Sequence, residues 1–147
     1  MRPKRADETA GDYVLEEQVG YLLRRAHQRA TAIFQCEIGN GQLTPTQWAA
    51  LVKLDDEGPL SQNHLGRLTA MDPATIQGVI RRLAKRGLIE RRADAVDRRR
   101  SALTLSPAGE ALVERLRADG HRVSEAILAS LGGKERKDLL DLLKRLG

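Results

Sequence analysis

The 147-residue chain is short of several things, and each shortage narrows what it can be. It holds one cysteine, Cys36, so no internal disulfide framework can brace it. Aromatic side chains make up only 3% of it, namely Tyr13, Tyr21, Phe34 and Trp48. Although 41% of the residues are hydrophobic, they form no long apolar run. The start, Met1-Arg2-Pro3-Lys4-Arg5, is basic but continues into polar residues, so no secretory signal is expected and the protein is placed in the cytoplasm. The motifs of enzyme chemistry are missing too: no glycine-rich phosphate loop, no nucleophile elbow and no paired-histidine motif. The carboxylates lie mostly on amphipathic helices as solvated faces, and a non-enzyme is expected. His27, Cys36, His64 and His121 show no short ligand spacing, so neither a metal nor another cofactor is expected.

One stretch is dense with signals. Ser61-Gln62-Asn63-His64-Leu65-Gly66-Arg67-Leu68 reads as a short polar helix, and after a break at Thr69-Ala70-Met71 a second helix opens at Asp72-Pro73. The aspartate can accept from free amides of the first turn, and proline at the first helical position forfeits no hydrogen bond. Ile76, Val79, Ile80 and Leu83 recur at helical spacing and predict the buried face, with Thr75, Gln77, Gly78, Arg81 and Arg82 on the opposite one. Gly87 ends the helix, and Lys85 and Arg86 occupy its last turn, where cations suit the helix dipole. Next, Leu88-Ile89-Glu90-Arg91-Arg92 and Ser101-Ala102-Leu103-Thr104-Leu105 predict a two-stranded ribbon with a basic tip. Helix, corner, second helix and ribbon is the order of a winged helix-turn-helix.

Charge points the same way. Between Arg81 and Arg100 stand nine basic residues against three acidic ones, a local +6, so the remainder of a chain whose net charge is +5 is about neutral. An excess confined to one helix end and one hairpin suits a polyanion, because attraction to phosphates supplies most non-specific nucleic-acid affinity. Single-stranded RNA is usually held by stacking on aromatic rings, and all four aromatics lie outside this segment. Duplex DNA is the better match.

The remaining segments frame this lobe. Residues 1–12 read as a flexible N-terminal arm, whose Arg2, Lys4 and Arg5 are within the reach of DNA phosphates only as a disordered tail. From Tyr13 to about Ile38 the residues Val19, Leu22, Leu23, Ala26, Ala30, Ile33 and Phe34 keep helical spacing over roughly 25 residues, close to 38 Å, until Gly39-Asn40-Gly41. Thr44-Pro45-Thr46-Gln47 carries a threonine cap, a proline behind it and the capping-box glutamine, and Trp48, Leu51, Val52 and Leu54 follow before Glu57-Gly58-Pro59. Ser106-Pro107 opens another helix, expected to run about 26 residues or near 39 Å to Gly132-Gly133, and Glu135 to Leu146 makes a leucine-rich last one. The expected organisation is thus an arm (1–12), an N-terminal dimerisation helix and turn (13–43), a winged DNA-binding lobe (44–105) and C-terminal dimerisation helices (106–147). The fold class is mainly α (α+β). The terminal helices present more apolar surface than one such lobe can cover, which predicts a homodimer, since a two-fold pair buries the same patch on both chains.

The wing and its exit, Asp97-Arg98-Arg99-Arg100-Ser101-Ala102-Leu103-Thr104-Leu105-Ser106-Pro107-Ala108-Gly109, resemble the signature of the MarR family of bacterial transcription regulators. Arg82-Leu83-Ala84-Lys85-Arg86-Gly87-Leu88-Ile89 and Leu43-Thr44-Pro45-Thr46-Gln47-Trp48 match the family as well, and the likeness spans residues 13 to 147. It implies a dimeric repressor on a pseudo-palindromic, inverted-repeat operator in double-stranded DNA, with recognition helices in major grooves and wings in minor grooves. Carried over, Arg99 is the minor-groove arginine, a match to the concentrated negative potential there. Asp97 orients that arginine or the wing backbone, and Arg98 and Arg100 are phosphate contacts. Thr75, Gln77 and Gly78 hold base-facing positions. Gly78 departs from the larger polar residue common in the family, which shifts base reading to Gln77, whose amide suits adenine, or to Arg81, with Arg82 beside it. Ser61, Gln62 and His64 place the first helix against phosphates.

The resemblance also implies release by a small anionic aromatic effector. Arg24, His27 and Gln28, within about one turn of each other, and Trp48 on the next helix are the candidate ligand contacts. Tyr21-Leu22-Leu23-Arg24-Arg25-Ala26-His27-Gln28-Arg29 looks most like regulators of aromatic-acid catabolism, which points to a phenolic acid or its coenzyme A thioester. The alternative is a redox-sensing repressor using Cys36, although a helix C-terminus beside Glu37 is a poor setting for a charged thiolate.

Overall fold

A computed structural model describes residues 11–38, 43–93, 96–97 and 99–147. Arg2, Lys4 and Arg5 of the expected arm, the Gly39-Asn40-Gly41 turn, Asp94 and Arg98 lie outside the described residues. The order is a 3-10 turn (Leu15–Glu17), α1 (Val19–Glu37), α2 (Pro45–Glu57), α3 (Gln62–Leu68), α4 (Pro73–Lys85), β1 (Ile89–Ala93), β2 (Ser101–Leu105), α5 (Pro107–Ile127) and α6 (Gly133–Leu146). The mainly helical winged helix-turn-helix expected from the sequence is what forms.

Local chemistry explains most of the helix starts. Thr44 and Gln47 exchange the two bonds of a capping box: Thr44 Oγ1 accepts from the Gln47 amide at 3.2 Å, and Gln47 Oε1 accepts from the Thr44 amide at 3.1 Å. Ser61, Asp72 and Ser106 each accept from the third amide beyond them, at 3.2, 2.8 and 3.1 Å. Proline follows at the first helical position in α2, α4 and α5. Gly58 and Gly87 close α2 and α4 with positive φ of 78° and 70°, a backbone state open to glycine at little cost.

Two helices are shorter than their apolar periodicity predicts. α1 is 19 residues, about 28 Å, because Gln18 stays extended and its side-chain amide instead donates to the Val14 carbonyl at 2.7 Å. α5 is 21 residues, about 31 Å, and turns at Leu128 well before Gly132. The segment that follows is held by Arg136, whose Nε donates to the Leu131 carbonyl at 3.0 Å and whose Nη1 meets Glu125 at 2.7 Å. Apolar spacing continues through such a turn, so it does not mark where the backbone bends.

The core lies between α2, α4, the ribbon and the first turns of α5. Leu51, Leu65, Ile76, Ile80, Leu83, Leu103 and Val113 are fully enclosed, and the four α4 residues expected to face inward all do. β1 and β2 pair antiparallel with Ile89 opposite Leu105, Arg91 opposite Leu103 and Ala93 opposite Ser101. Leu60, between α2 and α3, joins the ribbon through a single bridge, exchanging amide–carbonyl bonds with Leu103 at 3.1 and 2.7 Å. This third contact had no sequence signal, since one buried leucine beside a proline lacks a strand period.

Where the ribbon becomes α5, the backbone crossing is very close. A Cβ built on Gly109 would lie 2.1 Å from the Leu88 carbonyl oxygen. Ser106 spans the same crossing: its hydroxyl donates to the Gly87 carbonyl at 2.6 Å, and its amide donates to the Leu88 carbonyl at 3.0 Å. Gly109→Ala is therefore expected to destabilise the protein by about 2 kcal/mol or more, since a methyl against fixed backbone forces two elements apart. Urea denaturation reads this directly, and an unchanged midpoint would show that the crossing is not obligatory.

Candidate nucleic-acid interface

The interface is built on the corner between α3 and α4. Gly66 lets the helices approach, for a Cβ there would meet Ile76 Cγ2 at 3.2 Å and the Met71 carbonyl oxygen at 3.3 Å. The turn closes with the Met71 amide on the Gly66 carbonyl at 2.9 Å and Thr69 Oγ1 on the Leu65 carbonyl at 2.6 Å. Ala70 takes a positive φ of 54°, which a side chain rarely adopts, so the corner is held against its residue's preference.

α4 is thereby fixed with Ile76, Val79, Ile80 and Leu83 inward and a polar face outward. Thr75, Gln77, Arg81 and Arg82 are exposed, and Gly78 is half-buried beside Arg82. The Thr75 hydroxyl donates to Asp72 Oδ2 at 2.8 Å, which leaves its lone pairs and methyl for another partner. The same two Thr75 bonds, the amide's first and then the hydroxyl's, hold the Asp72 carboxyl below its ordinary value of 3.8. Ser61 and His64 are tied together by the cap of α3, and Gln62 Oε1 accepts from Arg91 Nη2 at 3.1 Å. At the wing tip Asp97 holds backbone: its Oδ1 accepts the Arg99 amide at 3.0 Å and its carbonyl accepts the Arg100 amide at 3.0 Å. Arg100 also approaches Asp97 Oδ2, loosely, at 3.8 Å. The Arg99 guanidinium has no partner among the described residues, and Arg98 lies outside them.

Ion pairs sort the molecule into two sides. Arg117 of α5 reaches Asp55 at 2.5 Å and Asp56 at 2.7 Å, both at the end of α2, and these bonds raise its already high pKa. Arg122 pairs with Asp119 and, at 3.6 Å, with Glu37, while Arg136 pairs with Glu125. These carboxylates neutralise the helical scaffold. On α4, by contrast, Arg81, Arg82 and Lys85 form no ion pair among the described residues. The positive face is left unscreened by neighbours.

The residues expected to meet an effector are not yet one site within the single chain. Arg24, His27 and Gln28 are exposed on α1, and Trp48 is half-buried on α2. Among the described residues no hydrogen bond or ion pair joins these four. Trp48 packs instead on Gly120 of α5, where a Cβ would come within 3.2 Å of its indole ring. Sequence reading missed Tyr21, whose ring lies under two guanidinium groups, Arg24 at 5.7 Å and Arg25 at 6.0 Å. Its spacing of three and four from those arginines was the available signal. Cys36 is exposed at the end of α1. Among the described residues no cluster of three or more His, Cys, Asp or Glu could hold a metal, and no helix is long and apolar enough to cross a membrane.

Known proteins were compared with this geometry. The model of the MarR family matches residues 43–101. The chain is 42% identical over 134 residues to the HTH-type transcriptional repressor NicR of Pseudomonas putida, covering 91% of this chain and 85% of that one. A crystal structure of a probable transcriptional regulator from Pseudomonas aeruginosa aligns with TM-score 0.88 and 54% identity, over 91% of this chain and 100% of that one. Bordetella bronchiseptica BpsR aligns with TM-score 0.88 and 40% identity, over 92% and 97%, in a structure that addresses regulation of its DNA binding by 6-hydroxynicotinic acid.

The Asp72 cap makes a pH prediction. A carboxyl whose folded pKa lies below its unfolded one contributes stability above the unfolded value, and that contribution is lost as pH falls through the folded value. Wild type should melt higher than Asp72→Asn at pH 7, and the gap should close below pH 3.8. A gap of constant size from pH 7 to pH 3 would rule out the charged cap as its source.

Proposed function

The chain belongs to the MarR family of winged helix-turn-helix transcription regulators, and on that premise we propose that it is a repressor released from its operator by a small aromatic or heteroaromatic carboxylic acid. The observation that carries the DNA-binding half is the segregation of charge: the scaffold's carboxylates are spent on Arg117, Arg122 and Arg136, while the basic residues of α4 and Arg99 face outward without ion-pair partners. In this reading α4 enters the major groove with Thr75, Gln77 and Gly78 toward base edges and Arg81 and Arg82 beside them. Arg99 enters the minor groove, and Asp97 shapes the tip that carries Arg98, Arg99 and Arg100. Ser61, Gln62 and His64 bring α3 to the backbone.

Residues 44–105 act as the DNA-binding lobe, residues 13–43 and 106–147 as the dimerisation elements, and residues 1–12 as an arm. The support for a homodimer is the apolar surface that one chain leaves open: Val19, Leu22 and Leu23 on α1 and Leu140, Leu142, Leu143 and Leu146 on α6 are all exposed. Two-fold symmetry then sets half-site centres about 34 Å apart in an inverted repeat.

The effector reading rests on Arg24 above Tyr21, with His27 and Gln28 one turn on and Trp48 across the fold. A cation beside an aromatic ring suits a planar carboxylate, and 6-hydroxynicotinic acid, which BpsR responds to, is the first compound to try, followed by phenolic acids and their coenzyme A thioesters.

The test uses purified protein and the DNA upstream of its own gene. In light scattering the protein should have about twice the 16.3 kDa chain mass. Footprinting should show a symmetric inverted repeat, and Gln77→Ala should weaken operator binding by about 1–3 kcal/mol without weakening random duplex comparably. An effector should both raise the melting temperature and release the DNA, and Arg24→Met should abolish both responses. Release by peroxide but by no aromatic acid, lost in Cys36→Ser, would replace this effector reading with the redox one.

A further inference from the structure

Strand alternation has an effect that the count of basic residues hides. Arg91 shares the inward face of the ribbon with Ile89, because it stands opposite Leu103, which is fully buried. Its guanidinium is therefore turned back over α3, away from the wing tip, and reaches Gln62 at 3.1 Å. There it meets a groove of about 590 Å³ bounded by Gln62, Asn63, Arg67, Arg91, Arg100 and Ser101. All the side chains lining this groove are polar and none is acidic. Arg67 has no side-chain partner among the described residues, and Arg91 spends only one of its donors on Gln62.

We propose that this groove clamps one backbone phosphodiester of duplex DNA between Arg67 and Arg91, with Gln62 as the positioning residue that aims Arg91. The inference rests on the reading that the protein binds duplex DNA, and it adds Arg67 and Arg91 to the residues assigned above. A guanidinium presents a planar fork of donors that fits phosphate oxygens, and two of them facing one groove without a carboxylate repel each other until an anion enters. The groove offers no aromatic or apolar wall, so neither an unstacked base nor an aromatic effector is recognised there. Its place beside α3 and the base of the wing, away from the polar face of α4, makes the contact independent of sequence. The Gln62–Arg91 bond also ties the first helix of the motif to the wing, so both meet the same stretch of backbone.

Fluorescence anisotropy with an operator duplex and a scrambled duplex of equal length, across a series of salt concentrations, tests this. Arg67→Gln and Arg91→Gln should each reduce the slope of log affinity against log salt by about 0.9, the signature of one phosphate contact. Both duplexes should weaken by the same factor, leaving operator preference unchanged. Gln62→Leu should weaken binding in the wild-type background and have no effect in the Arg91→Gln background. Since Arg67 and Arg91 are exposed, the variants should melt with wild type. Unchanged slopes in both arginine variants, while wild type binds duplex DNA, would overturn the clamp and leave the DNA-binding reading standing. A loss confined to the operator would assign the arginines to base reading and also overturn it. If wild type bound neither duplex, the DNA-binding reading would fall and the clamp with it. Saturable stabilisation by inorganic phosphate at constant ionic strength, absent in Arg67→Gln, would assign the groove to a free anion instead.

Discussion

The close crossing of Gly109 over the Leu88 carbonyl is the constraint on which the other elements depend. Three parts of the molecule meet there: the end of the recognition helix at Gly87, the return strand of the wing at Leu105, and the first turn of α5. Ser106 bonds to Gly87 and Leu88 and caps α5 through Gly109, so one small side chain joins all three. Such a junction has no slack, because backbone approaches backbone with no side chain between to adjust. A displacement of α5 is thereby transmitted to the exit of α4 and the base of the wing. In the proposed regulator, this is a rigid route from the dimerisation helices to the surface that would meet DNA.

Charge distribution complements that rigidity. Asp55 and Asp56 sit at the C-terminal end of α2, where the helix dipole opposes negative charge, and Arg117 of α5 offsets both. All three side chains are partly exposed, so the pairs are screened by water and salt and contribute modestly to stability. Their larger effect is spatial. By keeping acidic groups occupied along α5 and the ends of α1 and α2, they leave the face of α4 positive, and a polyanion approaching that face meets little competing negative charge.

The single chain is also incomplete as an apolar object. α6 buries none of its residues, and much of α1 is open to solvent along its apolar stripe. The proposed homodimer accounts for this surface, and it would bring Arg24, His27 and Gln28 of α1 close to a second set of walls. Trp48 takes its place earlier, inside one chain, through the notch that Gly120 leaves in α5. A glycine in mid-helix carries a cost in helix stability, and here it is matched by space for the only tryptophan.

Local chemistry was legible in the sequence wherever a residue acts on its own neighbours. Thr44, Asp72 and Ser106 announce their helices because a cap bonds to an amide three residues on, and Ile76, Val79, Ile80 and Leu83 announce their burial because helical period alone determines a face. The wing's Asp97 and its basic tip were visible for the same reason, and so was the family resemblance. Helix ends at Gln18 and Leu128 were not, since apolar spacing continues through them. Leu60 on the ribbon, Gly109 against Leu88, Arg117 between two aspartates and Arg91 over Gln62 were decided only by tertiary structure. Each joins residues far apart in the chain, and no one-dimensional period encodes which distant backbone or side chain will arrive at contact distance. The sequence by itself determined which elements form and which face of each is buried; packing decided which charges are neutralised, where backbone tolerates no side chain, and which arginines share a groove.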